Sequence, residues 1–395
     1  MNTQNQNVAI IGGGPAGLMA AEILATAGVA VTVFERMPSL GRKLLMAGRG
    51  GLNITHSEPL PKLTARYGEA AGWLAPLVEE FPPEAVRAWC EELGQPTFIG
   101  TSGRVFPKAM KASPLLRAWL KRLESLNVRF ITRAQWTGWD QAGQLRFADG
   151  SVFAANATVL ALGGASWPRL GSDGGWTALL PDVAIASLRP ANCGFRVAWS
   201  AHFSERFAGH PLKRISITCA GQTIPGELMI TADGVEGGAV YAISAQARVL
   251  IEQGGVAECS LDLRPDMDEA TLVARLAGGG RESLSNVLRK RAGLSPVAVG
   301  LVQEARHAGV DMPVATLIKS MPLRLVATSG LARSISTAGG IEPTELDDNL
   351  MLRRHPGVFA AGEMLDWEAP TGGYLLQACL ATGRAAGQGV LAWLG

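Results

Sequence analysis

The hydrophobic pattern at the N-terminus predicts a buried strand, a helix and a second buried strand. Asn7–Gly12 is an apolar run, and Pro15–Ala27 follows it with proline in the first turn of a predicted helix. Ala30–Phe34 is again continuously apolar, as is typical of a strand that is covered on both faces. The nearly uncharged stretch 8–34 is interrupted by glycines, so it favours this strand–helix–strand unit over one membrane-spanning helix.

The pattern changes several times downstream. Apolar periodicity and the positions of Gly and Pro distinguish the segments. In the first half of the chain they predict a loop over 38–60, helices over 71–93 and 113–126, and a small antiparallel meander between Val128 and Leu162; Ser113 and Pro114 are the predicted cap and first residue of the second helix. In the second half they predict strands over 190–262, a helical region from Pro265 to about Ala308 with a hinge at Gly278–Gly280, and strands over 313–341. A helix is predicted over Tyr374–Leu394.

Composition indicates a folded protein with a large core. Of the 395 residues, 47% are apolar and 18% are charged, which excludes wholesale disorder and suggests two or three domains. The formal net charge of +2 implies no general attraction to nucleic acid or to an anionic membrane. The chain shows no signal-peptide pattern, and its five cysteines are scattered without a C-x-x-C pair. We therefore expect a cytoplasmic protein with buried free thiols.

The turn after the first strand carries a dinucleotide-binding fingerprint. Residues 12–17 read GGGPAG, which matches G-x-G-x-x-G between a strand and a helix. Gly12 permits the tight turn, Gly14 lets a pyrophosphate approach the backbone, and Gly17 lets helix and strand pack closely. Glu35 follows the second strand, where a carboxylate accepts hydrogen bonds from ribose hydroxyls. The alternative, a glycine-rich turn used only for packing, does not account for this acid, but the motif alone does not separate FAD from NAD.

Two later segments bring in a family resemblance. Residues 158–164 (TVLALGG) and 357–363 (GVFAAGE) are apolar strands that end in glycine. In this order the chain resembles the flavoproteins with two dinucleotide-binding domains. The resemblance implies that Gly163 lies near the cofactor and that Glu363 hydrogen-bonds a ribityl hydroxyl of FAD, bound non-covalently.

The loop over 41–56 (GRKLLMAGRGGLNITH) carries a closer resemblance. It is similar to the S-G-G-G-R-C-N-L-T-N loop of the HI0933-like, aminoacetone-oxidase-like family of NAD(P)/FAD-dependent oxidoreductases. Four residues match that loop, namely Gly48, Gly50, Asn53 and Thr55. Four others depart from it (Arg49, Gly51, Leu52 and His56), which indicates a distinct subfamily and leaves the substrate open.

The expected fold class is α/β. It comprises a Rossmann-like FAD-binding domain with a parallel sheet and a β-meander, plus an inserted β-rich and helical region. Residues 1–190 and 320–395 form the discontinuous FAD-binding domain, 191–264 the β-rich insertion and 265–319 the helical insertion. Because every cofactor motif lies in the two ends, we expect the insertion to shape the substrate pocket.

The expected FAD contacts extend beyond the fingerprint. Glycines on either side of a flat flavin ring would let the backbone approach it, although ordinary turns would also explain them. A basic group beside the fingerprint, including Arg36 and Lys43, lies either on a solvated face or against adenosine and phosphate. The predicted cofactor-binding residues are Gly12, Gly14, Pro15, Ala16, Gly17, Glu35, Arg36, Lys43, Gly48, Gly50, Gly51, Asn53, Trp136, Ala161, Gly163, Gly340, Gly362, Glu363, Gly372, Gly373, Tyr374 and Leu375.

The sequence identifies no catalytic acid or base. His56 either moves protons near the flavin or is a hydrogen-bonding loop histidine, and Tyr374 either donates a proton or packs. Trp167 and Trp176 flank a glycine-rich loop and are candidates for a pocket wall. No histidine has the spacing of a metal ligand, so no metal is expected.

These features predict an FAD-dependent oxidoreductase that moves a hydride through flavin N5 to or from a small organic substrate. The alternatives are an RNA-modifying flavoprotein and a non-catalytic flavin-binding protein. The absence of Lys/Arg runs weighs against nucleic acid as a partner. Only one fingerprint is present, so the sequence shows no second nucleotide-binding domain for NAD(P)H. NAD(P)H is a candidate for a transient reductant, and the identity of the reductant stays open.

Overall fold

The chain forms two compact units in a computed structural model, which describes residues 6–47, 50–277 and 282–395. The first unit combines Met1–Arg189 with Ser336–Gly395, and the second is Pro190–Ile335. The predicted contact at Gly48, the neighbouring Arg49 and the predicted hinge at Gly278–Gly280 lie outside the described residues.

The first unit contains thirteen strands and seven α-helices among its described residues. Its strands are β1 (Asn7–Ile11), β2 (Ala30–Glu35), β3 (Thr55–His56), β4 (Thr97–Ile99), β5 (Arg104–Pro107), β6 (Arg129–Thr132), β7 (Trp136–Trp139), β8 (Leu145–Phe147), β9 (Val152–Phe153), β10 (Ala157–Leu160), β11 (Ile185–Ala191, which crosses the boundary), β19 (Ser336–Ile341) and β20 (Val358–Ala360). Its helices are α1 (Pro15–Thr26), α2 (Arg42–Ala47), α3 (Leu60–Ala65), α4 (Ala71–Glu80), α5 (Pro83–Glu92), α6 (Ala112–Ser125) and α14 (Tyr374–Leu394).

A five-stranded parallel sheet organises the first unit. The strand order is β20-β10-β1-β2-β6, and every neighbouring pair runs parallel. The three strands at the centre are almost completely buried, which explains their uninterrupted apolar sequences. The predicted parallel sheet is confirmed, and the carboxyl ends of all five strands meet at one edge.

Two small antiparallel sheets accompany the parallel sheet. One has the order β7-β8-β9, and it is the predicted meander. The prediction that the meander extends from Val128 to Leu162 is wrong, because β6 and β10 at its two ends belong to the parallel sheet. The other small sheet has the order β3-β5-β4.

Several predicted helix boundaries also differ from the structure. The predicted loop over 38–60 contains α2 and β3, and the helical segment 71–93 is two helices separated at Pro82. Helix α6 begins at Ala112, with Lys111 in the capping position, so Ser113 lies inside the helix rather than at its cap. The C-terminal helix occupies Tyr374–Leu394, as predicted.

A buried carboxylate links three helices of the first unit. Glu22 of α1 accepts hydrogen bonds from the indole of Trp89 at 3.1 Å and from the indole of Trp119 at 2.6 Å. Its second oxygen accepts from Arg122 at 2.8 Å. Because the side chain is only 8% exposed, these three donors compensate the loss of its hydration.

The second unit is built around a seven-stranded antiparallel sheet. The strand order is β17-β16-β13-β14-β15-β12-β18. Its strands are β12 (Phe195–Arg196), β13 (Pro211–Cys219), β14 (Gln222–Thr231), β15 (Gly234–Glu236), β16 (Ala257–Asp262), β17 (Met321–Leu325) and β18 (Ala327–Thr328). Its helices are α7 (Ala201–Phe207), α8 (Gly238–Ala242), α9 (Ser244–Gly254), α10 (Glu269–Ala277), α11 (Leu284–Lys290), α12 (Pro296–His307) and α13 (Val314–Lys319).

The strand-like segment 190–262 therefore includes three helices that the sequence pattern did not predict. The predicted β-rich and helical insertions share one hydrophobic core, which extends from Cys193 to Leu325. This core includes β17, so the chain returns to the first unit at residue 336 rather than at 320. β11 and β19 pair with each other, so the chain leaves and re-enters the first unit on neighbouring strands.

All five cysteines are buried and free. Within the part of the chain that is described, no helix is both long and apolar enough to cross a membrane.

Candidate FAD site

The carboxyl edge of the parallel sheet collects the predicted cofactor-binding residues. The fingerprint turn follows β1, Glu35 ends β2, Gly163 lies just beyond β10, and Glu363 lies just beyond β20. Because β20, β10, β1 and β2 are consecutive neighbours in the sheet, four segments that are distant in sequence meet here. A dinucleotide binds at such an edge, where the topology of the sheet opens a crevice.

The local geometry of the three fingerprint glycines is compatible with the roles that the motif predicts. Gly12 has φ +113°, and a Cβ there would overlap the carbonyl of Ala161 after β10. A Cβ at Gly17 would overlap the carbonyl of Gly12, so this glycine permits close helix–strand packing. A Cβ at Gly14 would meet no described atom within 4 Å. The open side of Gly14 is where a pyrophosphate would approach the start of α1, which begins with Pro15.

Glu35 is already oriented by the backbone around it. One carboxylate oxygen accepts from the amide of Gly13 at 2.9 Å, and the other accepts from the amide of Met37 at 2.8 Å. Each oxygen retains a lone pair for a further donor, such as a ribose hydroxyl. The neighbouring Arg36 forms an ion pair with Asp173 at 2.7 Å. This ion pair is compatible with both interpretations of Arg36, on a solvated face or against the cofactor.

Lys43 and Glu363 form an ion pair that sequence reasoning missed. The Lys43 ammonium lies 2.5 Å from a Glu363 oxygen and donates to the hydroxyls of Ser166 and Ser172. Glu363 is 6% exposed, and its other oxygen accepts from the amide of Thr337 at 3.0 Å. Both residues were predicted to contact FAD, but their pairing joins positions 320 residues apart, which no local pattern reveals.

Three polar atoms at predicted FAD contacts are buried without a hydrogen-bond partner among the described residues. They are Nε of Arg36, Oδ1 of Asn53 and the indole nitrogen of Trp136. A buried polar group without a partner is costly, so each such atom calls for an additional ligand. These three atoms, the open side of Gly14 and the remaining lone pairs of the Glu35 carboxylate all fit an FAD molecule.

Other predicted contacts have packing reasons of their own. A Cβ at Gly340 would overlap the backbone of Met364 and Leu365. A Cβ at Gly362 would lie 2.7 Å from that of Ala16. Packing therefore suffices to explain these two glycines, and their contact with FAD stays a prediction.

The loop and the C-terminal helix form a second group of predicted contacts. A Cβ at Gly51 would lie 2.9 Å from the terminal methyl of Met110, whereas one at Gly50 would meet no described atom within 4 Å. Gly372 and Gly373 precede Tyr374 and Leu375, the first residues of α14. A Cβ at Gly373 would contact the backbone of Thr55, so the N-terminus of α14 lies directly against β3.

A family model matches nearly the whole chain, in agreement with the geometry of the site. The model described as HI0933-like protein Rossmann domain matches residues 6–389. The chain belongs to this family. The predicted recognition is confirmed, and this HI0933-like protein is an FAD-dependent oxidoreductase.

Curated relatives extend over nearly the whole length of the HI0933-like chain. A 3-dehydro-bile acid delta(4,6)-reductase from Clostridium scindens is 26% identical over 96% of this chain and 98% of its own. A ribosomal RNA dihydrouridine synthase from Haemophilus influenzae is 25% identical over 95% of this chain and 96% of its own.

Solved structures support the fold. A 3-ketosteroid-delta4-(5alpha)-dehydrogenase from Rhodococcus jostii has a TM-score of 0.52 at 18% identity, covering 100% of this chain and 98% of its own. A flavocytochrome c3 fumarate reductase has a TM-score of 0.54 at 15% identity, covering 98% of this chain and 79% of its own.

Tyr374 of the HI0933-like protein is held in a polar cluster. Its hydroxyl donates to Glu58 at 2.7 Å, and Glu58 accepts two further bonds from Arg66, both at 3.0 Å. Hydrogen bonding from Arg66 holds the pKa of Glu58 below its ordinary value, and burial raises the pKa of the Tyr374 phenol. The phenol is therefore a poor proton donor at neutral pH, and the packing interpretation of Tyr374 is favoured.

His56 stacks on the ring of Tyr374 at a centroid distance of 5.2 Å. Its Nδ1 accepts from the amide of Glu58 at 3.1 Å, and its Nε2 lies 3.0 Å from the carbonyl of Ser102. Nε2 must therefore carry the proton and donate it to that carbonyl, which leaves neither nitrogen available to a substrate. The loop-histidine interpretation of His56 accounts for both contacts.

Of the two tryptophans flanking the glycine-rich loop, Trp176 is buried and Trp167 is half-buried. The indole of Trp176 donates to the carbonyl of Gly163 at 2.8 Å, which fixes the segment after β10. Trp176 therefore stabilises the predicted cofactor-binding turn through this hydrogen bond.

Proposed function

We propose that this FAD-dependent oxidoreductase transfers a hydride through flavin N5 to a small organic substrate, and that the acceptor is a carbon–carbon double bond conjugated to a carbonyl group. The observation that carries the flavin part is the convergence of Gly12, Glu35, Gly163 and Glu363 at one edge of the parallel sheet. FAD is proposed to bind there non-covalently.

The names of the relatives support the class of acceptor. A delta(4,6)-reductase of a 3-dehydro-bile acid and a dihydrouridine synthase both saturate a carbon–carbon double bond. In both substrates that bond is conjugated to a carbonyl, which stabilises the charge that develops when hydride reaches the β carbon. The shared chemistry is more informative than either substrate, because the two substrates differ greatly in size and charge.

The chain itself would provide binding and orientation. Glu35 would accept from the adenosine ribose, while the amides at the start of α1 would bind the pyrophosphate. Glu363 and Lys43 would place a carboxylate and an ammonium beside the ribityl chain. Bound FAD would supply two electrons as a hydride to the β carbon, drawn from a reduced nicotinamide, and a solvent proton would complete the α carbon.

Reduced nicotinamide is proposed as a transient reductant. The only G-x-G-x-x-G in the sequence is assigned to FAD, so NAD(P)H would approach the flavin without a nucleotide-binding domain of its own. We also propose a cytoplasmic location and a small-molecule partner rather than a nucleic acid or a membrane, on the basis of composition.

Reduction of a uridine in ribosomal RNA is the second candidate function. It is favoured by the relatives from Haemophilus influenzae and Escherichia coli, which match 95% and 97% of this chain. The small net charge of +2 weighs against it, since RNA binding depends on neutralised phosphates.

One experiment separates the two candidates. The holoprotein is reduced with NADPH or NADH under anaerobic conditions and then mixed with a conjugated enone, with a conjugated carboxylic acid or with unmodified ribosomal RNA. We expect reoxidation of the flavin by the enone or the acid and the saturated product by mass spectrometry. Dihydrouridine in the RNA, with neither small molecule reduced, would establish the second candidate and overturn the first.

A further inference from the structure

The outer face of the small sheet β3-β5-β4 exposes large apolar side chains. Phe98 is 37% exposed, and Met110 just beyond β5 is 41% exposed. Phe98 pairs with Phe106 in register, and their rings stack at 5.5 Å. Exposed apolar clusters of this kind mark binding surfaces more often than scattered single residues do. We name this group of Phe98, Phe106 and Met110 the apolar wall.

The apolar wall is continuous with the loop that is predicted to contact FAD. The position of a Cβ on Gly51 lies 2.9 Å from the Met110 methyl and 3.5 Å from the Phe106 ring. Gly51 is followed closely by Asn53, whose buried Oδ1 has no partner among the described residues. A ligand on the apolar wall would therefore lie beside the backbone that is expected to meet the flavin.

Arg104 places a positive charge on the same face. It lies two residues before Phe106 on β5, so both side chains point to the side opposite to buried Val105. Its Nε is 3.4 Å from the position of a Cβ on Gly372, which precedes the C-terminal helix. The Arg104 guanidinium has no hydrogen-bond or ion-pair partner among the described residues.

Of Arg104 and the neighbouring Arg66, Arg104 is the cation that is free to bind a ligand. Arg66, which flanks Tyr374, is already held by both oxygens of Glu58. A guanidinium without a partner presents a planar set of donors that matches a carboxylate in a bidentate arrangement.

We infer that Arg104 and the apolar wall form the substrate-recognition surface of the proposed reductase, and that the substrate is a ring-bearing apolar carboxylic acid. The carboxylate pairs with Arg104, and the rings lie on Phe106 and Met110. This inference rests on the proposed function and adds the substrate class to it.

The side chains of this surface favour a ring-bearing carboxylic acid over RNA as the ligand. Phe98 and Phe106 already stack on each other, so their rings are less available for intercalation between nucleobases. Met110 is aliphatic and exposed, which suits an alicyclic or aromatic body. Residues 98–110 contain just two basic residues, Arg104 and Lys108, whereas an RNA-binding surface uses several phosphate contacts.

The test is a titration of the oxidised holoprotein, followed through the visible spectrum of bound FAD. The probes are cinnamate, its neutral methyl ester, the ring-free acid acrylate, and the four-ring acid 3-oxo-4-androstene-17β-carboxylate. A uridine oligonucleotide is titrated in parallel. The variants are Arg104→Gln and Phe106→Ala, with Arg129→Gln as a matched control because Arg129 is an exposed arginine at the opposite, N-terminal end of β6.

In the native protein we expect at least one of the two ring-bearing acids to bind, and acrylate to bind more weakly. Arg104→Gln should weaken that acid about ten- to a hundredfold, as expected for a lost charge-assisted hydrogen bond, and should leave the methyl ester within about twofold. Phe106→Ala should weaken the acid and the ester alike. Arg129→Gln should behave like the native protein, and in turnover Arg104→Gln should raise KM more than it lowers kcat.

Three outcomes would overturn the inference. They are binding of neither acid to the native holoprotein, equal loss of acid and ester in Arg104→Gln, and a uridine oligonucleotide whose affinity depends on Arg104 while the acids do not bind. Native protein that carries flavin and reduces an enone, but shows any of these results, would keep the proposed function. Native protein without bound flavin would instead refute the proposed function itself.

Discussion

Glu35 has both a structural and a predicted cofactor-binding role at the end of β2. Its two backbone bonds to Gly13 and Met37 orient the carboxylate before any ligand arrives. An oriented acceptor loses less conformational freedom on binding than a mobile one, which improves affinity. Its position as an acid after the second strand was readable from the sequence, because the fingerprint specifies that spacing.

We predict that Glu35→Ala weakens FAD binding about ten- to a hundredfold, since a charge-assisted hydrogen bond contributes about 1.5–3 kcal/mol. The apo fold should lose less, because Glu35 is half-buried at the end of β2 and is not part of the apolar core. FAD titration and urea unfolding of the apo protein measure the two effects separately. Glu124→Ala, at an exposed position of α6, serves as the control. An unchanged FAD affinity in Glu35→Ala would refute the role.

Glu22 permits a prediction about stability alone. Glu22→Ala removes the acceptor of Trp89, Trp119 and Arg122, so we expect a loss of about 2–4 kcal/mol in the free energy of unfolding. Glu92→Ala is the matched control, because Glu92 lies 3.6 Å from the same arginine but is 68% exposed. Chemical denaturation would contradict the account if both variants lost the same amount.

Residue-level contacts could be predicted only where a motif fixes them. The roles of Gly12, Gly14 and Gly17 follow from a spacing within six residues. The pairing of Lys43 with Glu363 joins the two ends of the chain, and the bonds that Glu22 accepts join three helices. Such contacts depend on tertiary packing, about which local sequence carries little information.

At the scale of elements, the turn between β1 and α1 separates packing from ligand binding. A Cβ on Gly17 would overlap backbone, whereas one on Gly14 would enter open space at an ordinary negative φ. The two glycines of one motif should therefore respond differently to the same substitution.

We predict that Gly14→Ala leaves the stability of the apo protein within about 0.5 kcal/mol, as for other surface substitutions, but weakens FAD binding at least tenfold because the methyl occupies the pyrophosphate approach. Gly17→Ala should destabilise the apo protein itself. Thermal unfolding and FAD titration distinguish the two. Gly72→Ala, on an exposed position of α4 with open space around it, is the control, and native FAD affinity in Gly14→Ala would count against the assignment.

Long or strongly patterned elements were predictable, and short ones were not. The 21-residue α14 agrees with its predicted range, and β1 ends one residue before the predicted Gly12, because apolar runs and glycine boundaries mark both elements. α8 and α9, of five and eleven residues, lie inside a segment with strand-like composition and were missed. β6 and β10 were assigned to the meander because sequence alone does not show which sheet a strand joins.

At the scale of the whole molecule, the first unit has the features of an independent domain. It has its own hydrophobic core, and the two chain crossings lie on the paired strands β11 and β19. The sequence predicted a discontinuous domain because motifs occur at both ends. It placed the return at 320 because residues 313–341 read uniformly as strands, and only tertiary pairing assigns β17 and β18 to the other sheet.

We predict that replacing residues 190–335 with a short Gly/Ser linker leaves a protein that unfolds cooperatively and still binds FAD, because neighbouring strands make closure of the loop inexpensive. Circular dichroism during thermal unfolding and flavin fluorescence test this expectation. Replacing 191–319 instead would leave β17 and β18 without the other strands of their sheet. If the protein with this shorter replacement were the more stable of the two, the boundary at 335 would be contradicted.

The most direct test of the central claim is the visible absorption spectrum of the purified protein, before and after precipitation with acid. The protein should be yellow, should be bleached by dithionite, and should release FAD into the acid supernatant, because the fingerprint, Glu35 and the Glu363 segment meet at one sheet edge. A colourless protein that gains no flavin spectrum on incubation with FAD would contradict the account.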